Sequence, residues 1–161
     1  MKKFVFTLLL VFVCHLGYAQ SINGLFNEFG NEKNADCVKV SSFMMSLGKM
    51  FAGHDEDAKI IRKIKSIKVL DLESCTASVK ERFNKKVNKL NLKGYDELMR
   101  VNDEGEKVRV LMKTKKETIR ELLFVCTGKE DCTLVQINGK FTKDDIDKLV
   151  NQETGKKHGR R

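Results

Sequence analysis

The side chains with the widest chemical reach in this chain are its cysteines. Cys14 lies in an N-terminal apolar run, and Cys37, Cys75, Cys126 and Cys132 follow it. No CxxC pair and no Cys/His grouping with zinc spacing occurs, so a structural zinc site has no ligand set. In an oxidising compartment an even number of cysteines suggests disulfides, and four allow three pairings. Cys126 and Cys132 flank Thr127-Gly128-Lys129-Glu130-Asp131, which reads as a hairpin loop. A symmetric loop sets Cys132 directly opposite Cys126, at the Cα separation of about 4.5 Å that a disulfide accepts. A redox pair needs a helix N-terminus or similar device to lower a thiol pKa, and a hairpin loop has none, so a structural bridge is expected. Connectivity suggests a second bridge, Cys37–Cys75. The strand at Val38 leaves into two successive helices and the strand at Ile67 returns antiparallel, which brings both cysteines to one end of the sheet.

Other catalytic constellations are sparse. A Ser-His-Asp site has to combine His54 with Ser41, Ser42 or Ser46, and no nucleophile-elbow glycines flank those serines. Asp55/Glu56/Asp57 and Asp144/Asp145/Asp147 could furnish the two carboxylates of a glycosidase, which stand about 5–10 Å apart. Both clusters fall where a helix start favours negative charge, which explains them without catalysis. No Walker A or Rossmann glycine pattern, no HExxH and no EF-hand loop is present, and no cofactor is expected.

Positive charge is the remaining signal. Formal net charge is +9. The helix beginning at Thr76 carries Lys80, Arg82, Lys85, Lys86 and Lys89 against Glu81 alone, a candidate contact for an anionic partner. The plain alternative is the solvated face of an amphipathic helix. In the cytoplasm such a face points to nucleic acid. Export changes the available polyanions to lipid phosphates, anionic glycans and acidic proteins, and no nucleic acid is expected. The export signal is Lys2-Lys3, the apolar run Phe4 to Val13, and Gly17-Tyr18-Ala19, so residues 1–19 read as a signal peptide. That run is shorter than the roughly 20 residues of a membrane span, and no transmembrane anchor is expected after processing. Lipidation at Cys14 needs a small preceding residue, where Val13 is bulky. The expected location is the periplasm or cell envelope of a Gram-negative bacterium.

The elements that position these residues follow from hydrophobic spacing. The chain has 161 residues, 41% apolar and 33% charged, which excludes collagen-like and wholly disordered classes. Residues 20–153 read as one domain, and 154–161 as a mobile basic tail. Ser21 caps a helix with Ile22, Leu25, Phe26 and Phe29 on one face, and Gly30 ends it. Val79, Phe83, Val87 and Leu90 form the clearest helical stripe. From Tyr95 the period changes to two. Strands are expected at Leu98–Val101, Lys107–Met112, Ile119–Cys126 and Thr133–Ile137, with turns at Asn102–Gly105, Lys115-Lys116 and Asn138-Gly139. The strand ending at Cys126 is apolar on both faces and so central. Thr142 caps a last helix, with Asp145 at the capping-box position. Helices first, a four-strand meander and a closing helix predict an α+β fold: a mostly antiparallel sheet of about five to six strands with helices on one face.

The segments Val38–Met45, Ile64–Leu70, Tyr95–Val101, Ile119–Val125 and Val135–Phe141, in this order behind an export signal, resemble the small secreted proteins of Bacteroidota called the domain of unknown function 4252 family. The resemblance covers nearly all of the chain after the signal and rests on core strands and turns. It implies an exported envelope protein and supplies no catalytic residues. The function expected is a non-enzymatic binding or interaction module, contacting an envelope protein or an anionic surface. The alternative is an envelope hydrolase with an unrecognised carboxylate site.

Overall fold

A computed structural model describes residues 21–51 and 56–148. The expected signal peptide, His54, Asp55 and the basic tail lie outside the described residues. The elements are α1 (Ile22–Phe29), β1 (Asp36–Val40), α2 (Ser42–Phe51), α3 (Glu56–Lys63), β2 (Ile64–Asp71), α4 (Ala77–Val87), β3 (Asp96–Asp103), β4 (Glu106–Lys115), β5 (Thr118–Thr127) and β6 (Thr133–Phe141). Residues 143–148 are helical. Among the described residues, no helix is long and apolar enough to cross a membrane.

Local chemistry explains most boundaries. Ser21 Oγ accepts from Gly24 N at 3.0 Å and so caps α1. Gly30 N donates to Phe26 O, and a Cβ at position 30 would lie 2.5 Å from that same carbonyl, so glycine ends the helix for want of room. Thr142 and Asp145 cap each other: Thr142 N donates to Asp145 Oδ2 at 2.7 Å, and Asp145 N donates to Thr142 Oγ1 at 3.3 Å. Asp103-Glu104-Gly105-Glu106 closes the β3–β4 hairpin, with left-handed backbone at Glu104 (φ 44) and Gly105 (φ 91).

The six strands among the described residues form one antiparallel sheet in the order β1-β2-β6-β5-β4-β3. The fold is α+β, with β5 and β6 in the middle. One face is covered by α1 and α4. There Phe26, Phe29 and Phe83 pack on Leu70, Leu72, Leu111, Leu123 and Leu134, and the Phe29 and Phe83 rings meet edge to face at 5.4 Å. The second face carries a smaller cluster at one end, where Ile60 of α3 and Ile146 pack against Leu122, Ile137, Ile119 and Phe141.

The structure corrects one turn. Asn138 and Gly139 lie within β6, which runs on to Phe141. A Cβ on Gly139 would stand 2.5 Å from the Phe141 ring and 2.7 Å from Lys63 O. Glycine serves close approach here, beside bulges in both flanking strands, at Ile64/Ser66 and Ile119/Glu121.

Candidate functional site

Alternation along a strand sends odd and even residues to opposite faces, and pairing aligns them across strands. Away from α1 and α4 this produces one row across the whole sheet. Met99, Val110, Phe124, Val135, Val69 and Val38 are successive partners on β3, β4, β5, β6, β2 and β1. A second row, Met112, Leu122, Ile137, Ile67 and Val40, runs beside it on β4, β5, β6, β2 and β1. Antiparallel sheets commonly place polar residues on the face turned from the core. Here these two rows are built from valine, isoleucine, leucine, methionine and phenylalanine. The α3 and 143–148 segments cover the second row in part, but the first row stays open at its centre and both ends, with Met99 50%, Phe124 37% and Val38 55% exposed, while Val110 between them is buried. Val101 (46%) and Leu98 (41%) add to it at the β3 edge.

Charged cavities of opposite sign flank this face. At the hairpin end, a cavity of about 690 Å³ is lined by Val101, Val108, Asp103, Glu104, Gly105, Glu106, Lys129 and Glu130. Glu106 already accepts from Asp131 N at 3.2 Å. At the opposite end, about 440 Å³ is lined by Lys59, Ile60, Arg62, Lys63, Asp145 and Lys148. Among the described residues, no group of three histidine, cysteine or acidic side chains is placed to hold a metal ion.

The family model for the domain of unknown function 4252 matches residues 27–149. The chain belongs to that family. Neither the curated proteins nor the solved structures hold a match to it. The matched span of the 4252 domain runs from within α1 to the end of the described residues and so takes in all six strands, the open row and both cavities.

Within this 4252 domain the cysteines are free thiols. The expected Cys126–Cys132 bridge is corrected by the register: Cys126 faces Thr133, one position beyond Cys132. A one-residue shift reverses sidedness, so Cys132 lies in the core under α4 while Cys126 belongs to the open face. Cys132 Sγ donates to Asn84 Oδ1 (3.2 Å) and Gly128 O (3.4 Å), and Cys126 Sγ to Asp131 O (3.8 Å). The strand pairing that motivated Cys37–Cys75 is present, since β1 and β2 are antiparallel with Asp36 opposite Asp71. Both sulfurs are nevertheless free, and Cys75 Sγ donates to Lys33 O at 3.5 Å. Burial, first among the causes, pushes the Cys75, Cys126 and Cys132 thiols up, so none is an activated nucleophile at neutral pH.

Most of the α4 cations are engaged within the domain. Lys80 is buried and donates to Glu130 O at 2.8 Å. Arg82 pairs with Glu32 and lies 5.4 Å over the Phe29 ring. Lys86 pairs with Glu28 at 2.7 Å, and Lys85 with Glu81 at 2.7 Å. Lys89 is exposed at the end of the helix. The acidic partners of Lys86 and Arg82 come from α1 and the loop after it, so these charges join the two helices of the core layer.

Three of the candidate hydrolytic groups, Ser41, Ser46 and Asp145, have structural partners too. Ser41 Oγ accepts from Met44 N at 3.5 Å, and Ser46 Oγ donates to Ser42 O at 2.8 Å. Asp145 accepts from Lys63 and Thr142. Sequence reasoning missed a cluster on the core-side face of the β3 edge. Glu97 accepts from Arg100 Nε (2.7 Å), Arg100 Nη2 (2.9 Å) and Arg109 Nε (2.7 Å). A strand bulge makes this possible, and bulges leave little mark on hydrophobic spacing.

Proposed function

We propose that this chain is an exported, non-enzymatic interaction module of the cell envelope, and that it holds a protein partner on the open face of its sheet. The observation that carries the reading is the row Met99–Val110–Phe124–Val135–Val69–Val38, apolar across all six strands and exposed at its centre and both ends. Apolar surface of this continuity favours association, because covering it removes it from water at about 25 cal/mol per Å². The anionic-surface reading has less support, because Lys80, Arg82, Lys85 and Lys86 already have partners in the domain. The hydrolase reading has less support as well: Asp145, a buried acid of its second cluster, is held by an ammonium and a helix cap. Export rests on the Lys2-Lys3, Phe4–Val13 and Gly17-Tyr18-Ala19 pattern.

The test is a photo-crosslinking residue at position 124 in the exporting cell, with one at Lys89 as control. The expected result is a discrete adduct from position 124 that Met99→Lys abolishes. Equal labelling from both positions overturns the reading. Intact mass of the periplasmic protein, expected to begin at Gln20, tests export; a chain retaining Met1 refutes it.

A further inference from the structure

The outer strand β3 poses a problem that the face does not. All eight of its residues are exposed, and among the described residues its outer backbone edge has no neighbouring strand. The opposite edge, β1, is blunted by its five-residue length, by exposed Lys39 and by the helix that starts at Ser42. β3 has no lysine and no proline, and carries Leu98, Met99 and Val101 exposed among Asp96, Glu97, Arg100 and Asp103. Its unpaired N–H and C=O groups are a template for another strand, and its charges and its bulge restrict which strand fits.

Its charges say which strand. The bulge between Glu97 and Met99 inserts Leu98 as the extra residue, since Glu97 pairs with Leu111 and Met99 with Val110. In a regular strand, residues three apart point to opposite faces. Across this bulge Glu97 and Arg100 share one face, as their ion pair at 2.7 Å requires. Two antiparallel β3 strands related by a two-fold axis can therefore set Glu97 of each copy opposite Arg100 of the other, with both side chains on the same face. That register also sets Leu98 against Met99 and Asp96 against Val101. Moving the two-fold by one residue toward the C-terminus sets Asp96 against Asp103, a like-charge pair.

We propose that the occupant of this edge is a second copy of the chain, paired β3 to β3 in the Glu97–Arg100 register to make one twelve-stranded sheet. The association extends the apolar row from one copy into the next and goes beyond the partner-binding reading, because it uses the edge rather than the face. An eight-residue edge is a small interface, so the dimer is a weak one.

Sedimentation equilibrium of the mature chain tests this with Glu97→Arg and Arg100→Glu. The native chain is expected to dimerise reversibly. Each variant alone, carrying two like-charge contacts, is expected to dimerise about tenfold more weakly. An equimolar mixture of the two variants is expected to recover native-like association, because each then meets its opposite charge. Loss of the ion pair within one copy cannot produce that recovery. Backbone amides of β3 in the native chain should also exchange more slowly as concentration rises. A native chain that stays monomeric, or a mixture as weak as either variant alone, overturns the proposal. Phe124→Glu is expected to leave dimerisation unchanged while removing the position-124 contact, so the two readings fail separately.

Discussion

Lys63 Nζ lies 2.6 Å from one carboxylate oxygen of Asp145 and 2.7 Å from the other, across 82 residues of chain. The pair fastens the last residue of α3 to the first turn of the helix at 143–148, and the same carboxylate caps that turn through Thr142. Asp145→Ala removes both functions and is expected to cost about 2 kcal/mol. Lys63→Met, at a partly exposed partner, is expected to cost about 1 kcal/mol or less. Urea denaturation checks both, and an alanine variant as stable as native refutes the clasp.

Acid should weaken the fold through two carboxylates. Hydrogen bonds from Arg100, then Arg109, hold Glu97 down at about 2. Burial opposes ionisation of Asp145, but Lys63 and Thr142 outweigh it and leave that carboxyl below its ordinary value. A carboxylate depressed in the folded state contributes stability above its unfolded pKa, and that contribution is lost as pH falls through the folded value. Both contributions are therefore present at neutral pH and fade below about pH 4, the ordinary carboxylate range. Carboxyl-carbon NMR titration should find Glu97 well below the ordinary glutamate value of about 4.3, rising toward it when Arg100 and Arg109 are both replaced by glutamine.

Cys126 and Cys132 should not bridge to one another, because they stand on opposite faces of the sheet. Non-reducing peptide mapping of the exported protein checks this, and a Cys126–Cys132 cross-linked peptide refutes it. Burial raises both thiols, so their alkylation should be slow at neutral pH and accelerate well above pH 8.5, the ordinary cysteine value.

The α4 cations should separate into two groups. Lys80→Ala leaves Glu130 O without its donor and removes a buried stem, for an expected loss of about 1–3 kcal/mol. Lys85→Glu and Lys89→Glu act at exposed positions and should change stability by about 0.5 kcal/mol or less. Thermal unfolding of the three variants decides, and equal effects refute the separation.

The residues alone determine what is local. The helical stripes at Ile22–Phe29 and Val79–Val87 and the two-residue period after Tyr95 each arise within one element, so the α+β class follows from spacing. The Ser21 cap and the Thr142–Asp145 box are legible for the same reason, since each closes within three residues. Tertiary structure decides whatever depends on the partner across a gap. The side of the sheet taken by Cys132 turns on a single residue of loop register, which alternation amplifies into a change of face. Gly139 resembles a turn residue until the Phe141 ring and Lys63 O are brought against it. Lys86 and Arg82 look unpaired on α4 until α1 and the loop after it supply Glu28 and Glu32. The open row is the furthest from the sequence. It exists because β2 inserts between β1 and β6, and that choice is made by long-range pairing of strands rather than by the preference of any one of them.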